Sequence, residues 1–158
     1  MKKYFFDYLS ILMHDYPDAF FVSMGLGYPR LDAIHGEFPD RFIQTEAAEQ
    51  TALDIAVGLA YAGQLIIVYT ITPFYLRAFE TLRTYIAHEN LPVVMIGAGR
   101  NDDYSKHDGF SHEARDVPGL LRGLGNISQY FPVNEDEMKK CLNAAIQMRQ
   151  PAFISIPK

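Results

Sequence analysis

Leu65-Ile-Ile-Val-Tyr-Thr-Ile71 is the stretch that decides the fold, because its apolar residues follow one another without the alternation of a half-exposed strand. Such a run is typical of a parallel strand that is buried on both faces. Leu91-Pro-Val-Val-Met-Ile-Gly97 is a second run of this kind, and an amphipathic segment that starts at Pro73 lies between the two. Two buried strands joined through a helix form a βαβ unit. The sequence therefore predicts a mostly parallel sheet with helices on both faces.

The same alternation of strands and helices continues in both directions from this unit. Short β-favouring runs predict four further strands, at Phe20–Met24, Arg41–Gln44, Ile127–Pro132 and Ala152–Ile156. Apolar spacing and capping residues predict further helices at Tyr4–His14, at Leu31–Gly36, from Thr45 to Ala62, and after Asn134. Gly25–Pro29 is predicted to be a loop at the end of a strand. With right-handed crossovers, this order gives an α/β fold with an open, doubly wound, mostly parallel sheet.

Composition restricts the class of protein and its partners. The 158 residues suit one domain, and 49% hydrophobic with 21% charged residues is the balance of a globular protein. The formal charge of −5 comes without a basic stripe, which argues against a nucleic-acid partner. The sequence has no stretch of about 18 uninterrupted apolar residues, so no membrane span is predicted. The single cysteine, Cys141, cannot form an internal disulfide, and we expect a cytoplasmic protein.

The junction Arg41-Phe-Ile-Gln-Thr-Glu-Ala-Ala-Glu-Gln50 is the first candidate site. It runs from a strand into an alanine-rich helix, and sites in α/β proteins form in the crevice outside the carboxyl ends of the strands. Glu46 and Glu49 are predicted to lie at that crevice. Acids in a first helical turn can also serve only to complement the helix dipole, so the junction alone does not decide between the two interpretations.

A long polar segment from Ala98 to about Val117 is the second candidate site. It is rich in Gly, Asn, Asp, Ser and His, and loops of this length within compact domains are usually functional. The histidines of the sequence do not have the helical spacing of a zinc site, and the sequence shows no serine or cysteine nucleophile motif. We therefore predict no metal site in this chain.

Six short segments stand in an order and spacing that together are fairly specific. They are Glu37–Ile43, Ala48–Gln50, Gly58–Ala60 with Gly63, Thr72–Phe74 with Arg77 and Ala78, Asp108–His112, and Asn126 with Ile127. Together they resemble the pyrimidine-binding domain of the transketolase family, which includes the related deoxyxylulose-phosphate synthases. The resemblance covers most of the chain. It implies the thiamine-diphosphate-binding fold, with thiamine diphosphate and Mg²⁺ as cofactors.

The resemblance assigns roles to five residues. Glu49 matches the glutamate that hydrogen-bonds N1′ of the cofactor's aminopyrimidine, where a carboxyl group can exchange a proton with the ring nitrogen. Phe74 resembles the aromatic residue that packs against the pyrimidine ring. Arg77 matches the deoxyxylulose-phosphate synthase branch and is expected to contact substrate or partner. Asp108 and His112 resemble the acid and the histidine that touch the sugar substrate near the reacting carbon, which makes His112 a catalytic candidate beside Glu49.

Some of these roles have structural alternatives. Phe74 could be ordinary core packing at the start of a helix, and Arg77 could be a solvated helix residue. Glu46 stands where the family usually has a small residue. It is either a surface acid or a residue that crowds the site, and its role stays open.

The family's diphosphate-binding domain, with its magnesium-binding Gly-Asp-Gly and downstream asparagine, has no counterpart in the sequence. We therefore expect residues 1–158 to be a single pyrimidine-binding domain, without the family's C-terminal domain, whose partner subunit binds the diphosphate and supplies the Mg²⁺ ligands. The expected function is that of one subunit of a split transketolase-like transferase, a heterotetramer that moves a two-carbon ketol unit between sugars or other small carbonyl substrates. Two alternatives remain: the small subunit of a thiamine-diphosphate-dependent 2-oxo acid decarboxylase, or a non-catalytic domain that binds or regulates a partner.

Overall fold

The computed structural model describes residues 1–25 and 28–158. Leu26 and Gly27, which belong to the predicted loop Gly25–Pro29, lie outside the described residues. The described strands form one sheet and are β1 (Ala19–Ser23), β2 (Phe42–Gln44), β3 (Leu65–Ile71), β4 (Val93–Ala98), β5 (Ser128–Tyr130) and β6 (Ala152–Ile156). Their order across the sheet is β2-β1-β3-β4-β6-β5, and every neighbouring pair is parallel. The predicted α/β, doubly wound sheet is confirmed.

Helices cover both faces of this sheet. The α-helices of the described residues are α1 (Lys2–Asp15), α2 (Pro29–Glu37), α3 (Glu49–Tyr61), α4 (Phe79–Thr81), α5 (Ser105–Asp108), α6 (Val117–Gly123) and α7 (Glu135–Met148). The apolar residues of α1, α2 and α7 pack on one face, and those of α3, α6 and segment 72–87 pack on the other. Within β3, Ile66 and Val68 point to the second face, whereas Ile67 and Tyr69 point to the first. All four are fully buried, which confirms the two-sided burial predicted for this strand.

Segment 72–87 is helical, as predicted after Pro73, but it is irregular. It begins as a 3₁₀-helix at Thr72–Ala78, continues as α4 and ends as a π-helix at Leu82–Ala87. Tyr75 and Ala78 are fully buried and lie three residues apart, which is the period of a 3₁₀-helix. Leu82 and Ile86 are fully buried in the wider part, where a spacing of four keeps them on one face. The irregular segment thus keeps Tyr75, Ala78, Leu82 and Ile86 on one buried face.

The predicted start of the third helix at Thr45 is wrong, because α3 begins at Glu49. The backbone N–H of Thr45 donates to the carbonyl of Ser23 at 3.0 Å, so hydrogen bonding to β1 continues beyond β2 and keeps the chain extended. Glu46 then adopts the left-handed conformation (φ 52°), which a right-handed helix cannot contain. Glu46 therefore lies in the connection before the helix. Only Glu49 belongs to the first turn.

The long polar segment after β4 is partly ordered into short helices. It contains α5 and a single 3₁₀ turn at Phe110–His112, and α6 follows it. The sequence did not predict α6, because its seven residues include two glycines and offer only Val117 and Leu121 as buried positions. The predicted cap of α7 is confirmed, since Asn134 Oδ1 accepts a 2.9 Å hydrogen bond from the N–H of Glu137. Among the described helices none is long and apolar enough to cross a bilayer.

Candidate functional site

Glu49 is a buried carboxylate at the N-terminus of α3. The residue is only 5% exposed, although it follows the exposed connection from β2. As the first residue of the helix it lies beside the positive end of the helix dipole, which favours a negative charge. Burial of an ionised carboxylate is nevertheless costly unless a partner compensates it. The structure provides that partner.

The partner is Arg77, whose Nη1–H donates to Glu49 Oε1 in a short ion pair. Arg77 comes from the last turn of the 3₁₀-helix that follows β3. Its side chain is 49% exposed, whereas that of Glu49 is 6% exposed. The pair thus joins a buried carboxylate to a half-exposed guanidinium at the surface.

The ring of Phe74 completes this arrangement. The guanidinium carbon of Arg77 lies 3.9 Å from the centre of the ring, a close cation–π contact. Phe74 also packs edge-to-face against His112, with ring centres 5.0 Å apart at 67°. His112 belongs to the polar segment after β4, so this contact joins the two candidate regions. The structure therefore connects four of the predicted residues in the order Glu49–Arg77–Phe74–His112.

The backbone beneath this contact is fixed by close packing of the ends of β3 and β4. Thr72 Oγ1 donates a 2.7 Å hydrogen bond to the carbonyl of Gly99. A Cβ atom at Gly97 would lie 2.6 Å from that hydroxyl and 2.7 Å from the ring of Phe153. Glycine at position 97 is therefore what lets segment 72–78 approach β4.

Asp108 is not part of the chain of contacts. It is the exposed last residue of α5, and its carboxylate has no hydrogen bond or ion pair with another described residue. Gly109 follows it with φ 81°, and this left-handed turn separates Asp108 from the 3₁₀ turn that carries His112. The two side chains stay four residues apart on the same loop, at the carboxyl-end edge of the sheet.

Glu46 supports the loops and does not contact Glu49. Its Oε1 accepts a 2.9 Å hydrogen bond from Gln44 Nε2, and the residue is exposed. A Cβ atom at Gly25 would lie 2.5 Å from the Cα of Glu46, so the loops that follow β1 and β2 touch here. This geometry favours the surface-acid interpretation of Glu46 over the crowding of the site.

A cluster of tyrosines and a lysine near the ends of the strands was not predicted. The hydroxyls of Tyr69 and Tyr104 are buried without a hydrogen-bond partner among the described residues. Lys2 Nζ lies 4.9 Å from the centre of the Tyr104 ring and 6.0 Å from that of Tyr28. Burial lowers the pKa of the Lys2 ammonium. Tyr69 within the apolar run Leu65–Ile71 was the only sign of this cluster in the sequence. That these side chains lie close together is shown only by the tertiary packing.

Within residues 1–25 and 28–158, no three His, Cys, Asp or Glu side chains are placed so that they could hold a metal ion together. The acids of the candidate site have different surroundings and do not form a common cluster among the described residues. Glu49 is paired with Arg77, Glu46 with Gln44, and Asp108 is alone at its turn.

This is an α/β domain whose candidate site joins a buried carboxylate, through a guanidinium, to a half-buried aromatic ring at the carboxyl ends of the strands. The family model "Transketolase, pyrimidine binding domain" matches residues 1–158. The chain therefore belongs to the family of transketolase pyrimidine-binding domains.

Relatives are consistent with this assignment. The chain is 30% identical over 121 residues to one subunit of the apulose-4-phosphate transketolase of Actinobacillus succinogenes, a match that covers 76% of this chain and 39% of that protein. It is 33% identical over 129 residues to the 1-deoxy-D-xylulose-5-phosphate synthase of Halothermothrix orenii, which covers 77% of this chain and 19% of that protein. The chain thus spans well under half the length of these relatives.

Solved structures share the fold. A split-gene transketolase, described as an inactive beta4 tetramer, superposes with a TM-score of 0.86 at 23% identity and covers 99% of this chain and 50% of that one. Transketolase from Leishmania mexicana superposes with a TM-score of 0.86 at 18% identity, over 97% of this chain and 24% of that one. At these identities the likeness establishes the fold.

Proposed function

We propose that this chain is the pyrimidine-binding subunit of a split, thiamine-diphosphate-dependent transketolase-like enzyme that transfers a two-carbon ketol unit between sugars or related carbonyl compounds. The observation that carries the proposal is the carboxylate of Glu49, which is buried at a helix N-terminus and is joined through Arg77 to the ring of Phe74. Membership of a family of thiamine-diphosphate enzymes adds to this observation.

The residues present fit an aminopyrimidine ring. Such a ring is flat and carries nitrogen atoms along its edge, so it needs an apolar surface for its face and a polar group for one nitrogen. Phe74 supplies the surface and Glu49 supplies the polar group, both within reach of the same guanidinium in the present structure. The guanidinium of Arg77 thus already makes the two contacts that a bound aminopyrimidine ring would make, with Glu49 and with Phe74.

Glu49 would act by holding and exchanging a proton at the ring nitrogen N1′. Its side chain is only 6% exposed, which keeps most bulk water away from the carboxyl group. A carboxyl group in hydrogen-bond reach of a ring nitrogen is suited to general acid–base work, which contributes roughly 10²–10⁴-fold to rate. When bound, thiamine diphosphate supplies the nucleophilic carbon that breaks and forms bonds beside a carbonyl group.

His112 and Asp108 would face the substrate, together with Arg77. His112 is partly exposed beside Phe74, and its Nδ1 lies 3.0 Å from Ser111 Oγ, which leaves Nε2 for an oxygen atom of a substrate. Asp108 has an uncommitted carboxylate that can accept a hydrogen bond from a sugar hydroxyl. Arg77 could reach a substrate or partner group when it leaves Glu49.

A partner subunit would supply the other half of the site. The described acids are not arranged to hold Mg²⁺, which requires about six oxygen ligands in near-octahedral geometry. We therefore assign the diphosphate and Mg²⁺ to a diphosphate-binding subunit and treat residues 1–158 as one domain of a heterotetramer with paired sites. The similarity to a protein that is itself one subunit of a transketolase supports this division of labour.

Reconstitution tests the proposal. The chain is mixed with a candidate partner that carries Gly-Asp-Gly and a downstream asparagine, and mass, cofactor affinity and ketol transfer are measured with Mg²⁺ and thiamine diphosphate present. We expect a complex of two chains of each kind that is active, while each chain alone is inactive. Release of CO₂ from a 2-oxo acid without ketol transfer would replace the proposal with a decarboxylase, and a stable complex that never binds the cofactor would replace it with a non-catalytic domain.

A further inference from the structure

The guanidinium of Arg77 makes both contacts that the proposed function reserves for the cofactor ring. It donates to Glu49 Oε1, and its carbon lies 3.9 Å from the centre of the Phe74 ring. No other cation of the described residues pairs with this carboxylate or stacks on this ring. The buried carboxylate and the aromatic face are therefore occupied by one side chain of the protein itself.

The chemistry of the guanidinium and of the aminopyrimidine explains why the first can take the place of the second. A guanidinium is a planar N–C–N unit with N–H donors along its edge. An aminopyrimidine contains the same planar N–C–N unit within its ring and amino group. Both can lie flat on an aromatic ring while an edge nitrogen meets a carboxylate.

We propose that Arg77 is an internal placeholder for the aminopyrimidine. Its guanidinium stays paired with Glu49 until the cofactor binds, and it must rotate outward before the ring can enter the site. The inference rests on the proposed function. The placeholder keeps the buried Glu49 carboxylate compensated while the site is free, because a buried charge without a partner is strongly unfavourable.

The exposure of Arg77 allows the exchange. Nearly half of its side chain is already in contact with solvent, so rotation outward does not require other residues to unpack. Glu49 by contrast is fixed by the first turn of α3 and is buried, so it cannot leave. Arg77 is therefore the member of the pair that moves.

Competition reduces the apparent affinity for the ring to the fraction of time that Arg77 spends outside the site. If Arg77 occupies it about nine-tenths of the time, binding is weakened about tenfold. The pair thus sets a threshold concentration for loading of the cofactor, and a variant without the guanidinium should load at lower concentration.

The test uses the full chain and the free hydroxymethyl-aminopyrimidine half of thiamine as probe, with affinity measured by NMR titration. Arg77→Gln removes the charge and the planar guanidinium. Arg77→Lys keeps the charge but lacks the planar group, and it is the second variant in case Arg77→Gln folds poorly. We expect Arg77→Gln to bind the probe about tenfold more tightly than the parent chain. Arg77→Lys, whose ammonium can still pair with Glu49 but cannot lie flat on the Phe74 ring, should also bind more tightly, by a smaller factor. Arg83→Gln is the matched control, since Arg83 is an exposed arginine of the same segment paired with Glu80 at 2.7 Å, and should leave the affinity unchanged.

A second measurement separates this inference from the proposed function. In the parent chain, the Nη–Hη resonance of Arg77 should be protected from exchange, because Nη1 donates to Glu49 Oε1. It should lose that protection in Glu49→Gln and when the probe is added. Equal or weaker probe binding by Arg77→Gln and Arg77→Lys, or an Arg77 resonance indifferent to Glu49→Gln, overturns the placeholder while the proposed function stands. If the parent and every variant fail to bind the probe at all, the placeholder is overturned as well, whereas the proposed function is decided separately by reconstitution with the partner subunit.

Discussion

Thr72 Oγ1 donates its hydrogen bond to the carbonyl of Gly99, and this bond joins the two segments that carry the candidate site. Thr72 directly follows β3 and opens the 3₁₀-helix that contains Phe74, whereas Gly99 directly follows β4 and begins the segment that contains His112. Thr72 is 1% exposed, so its hydroxyl cannot exchange this partner for bulk water. The contact between Phe74 and His112 therefore rests on a buried bond at the base of both segments.

Thr72→Val should lower the free energy of unfolding by about 1–3 kcal/mol, because it leaves the carbonyl of Gly99 without its buried donor while keeping the shape of the side chain. Thr72→Ser retains the hydroxyl and should cost less. Urea unfolding of both variants beside the parent chain measures the difference. A clear loss for serine with no loss for valine would mean that the methyl group matters here and the hydrogen bond does not.

The fold could be predicted because its signals are local in the sequence. The run Leu65–Ile71 is apolar without alternation, and burial on both faces is the simple consequence. The start of α3 could not be predicted in the same way. Thr45 and Glu46 are held outside the helix by a hydrogen bond to Ser23 and by contact with Gly25, which are distant in sequence. Tertiary contacts override helix propensity at this point.

The sequence predicted which residues belong to the candidate site but not how they contact one another. Resemblance to the family identified Glu49, Phe74, Arg77 and His112, and the structure places these four in one chain of contacts. The pairing of Arg77 with Glu49 could not be foreseen, because the two residues are 28 positions apart and belong to different elements. Their roles in catalysis stay predictions.

Glu49→Gln in the reconstituted enzyme should lower turnover at least about a hundredfold, because an amide cannot exchange a proton with the pyrimidine nitrogen. The fold should be intact, since glutamine keeps the shape of the side chain and removes a buried charge. Steady-state ketol transfer and a circular dichroism spectrum provide the measurement.

Glu46→Gln is the control for that experiment, because Glu46 is exposed and its carboxylate bonds only to Gln44 among the described residues. It should change turnover by less than a few-fold. Full activity of Glu49→Gln with added thiamine diphosphate would remove Glu49 from the mechanism.

His112→Ala and Asp108→Ala should impair the use of substrate more than the binding of cofactor. Both residues are outside the Glu49–Arg77 pair, and the carboxylate of Asp108 has no hydrogen bond or ion pair with another described residue. We expect kcat/KM to fall by roughly tenfold or more, the effect of about 1.4 kcal/mol, with cofactor affinity nearly unchanged. Calorimetric titration of the cofactor beside steady-state kinetics separates the two quantities.

His107→Ala is the matched control, since His107 is an exposed histidine of the same short helix as Asp108. A loss of cofactor affinity as large as the loss of kcat/KM would show that the loop acts by shaping the site and does not contact substrate.

Tyr69 and Tyr75 are both fully buried phenols, but their hydroxyls differ in hydrogen bonding. The hydroxyl of Tyr75 lies 2.9 Å from the carbonyl oxygen of Val68 and 3.1 Å from that of Ile96, whereas the hydroxyl of Tyr69 has no partner among the described residues. Tyr75→Phe should therefore lower the free energy of unfolding by about 1 kcal/mol. Tyr69→Phe removes an unsatisfied buried group and should be neutral or stabilising by up to about 1 kcal/mol. Urea unfolding compares the pair; a loss for Tyr69→Phe as large as that for Tyr75→Phe would mean that the Tyr69 hydroxyl is bonded, for which a buried water is the simplest partner.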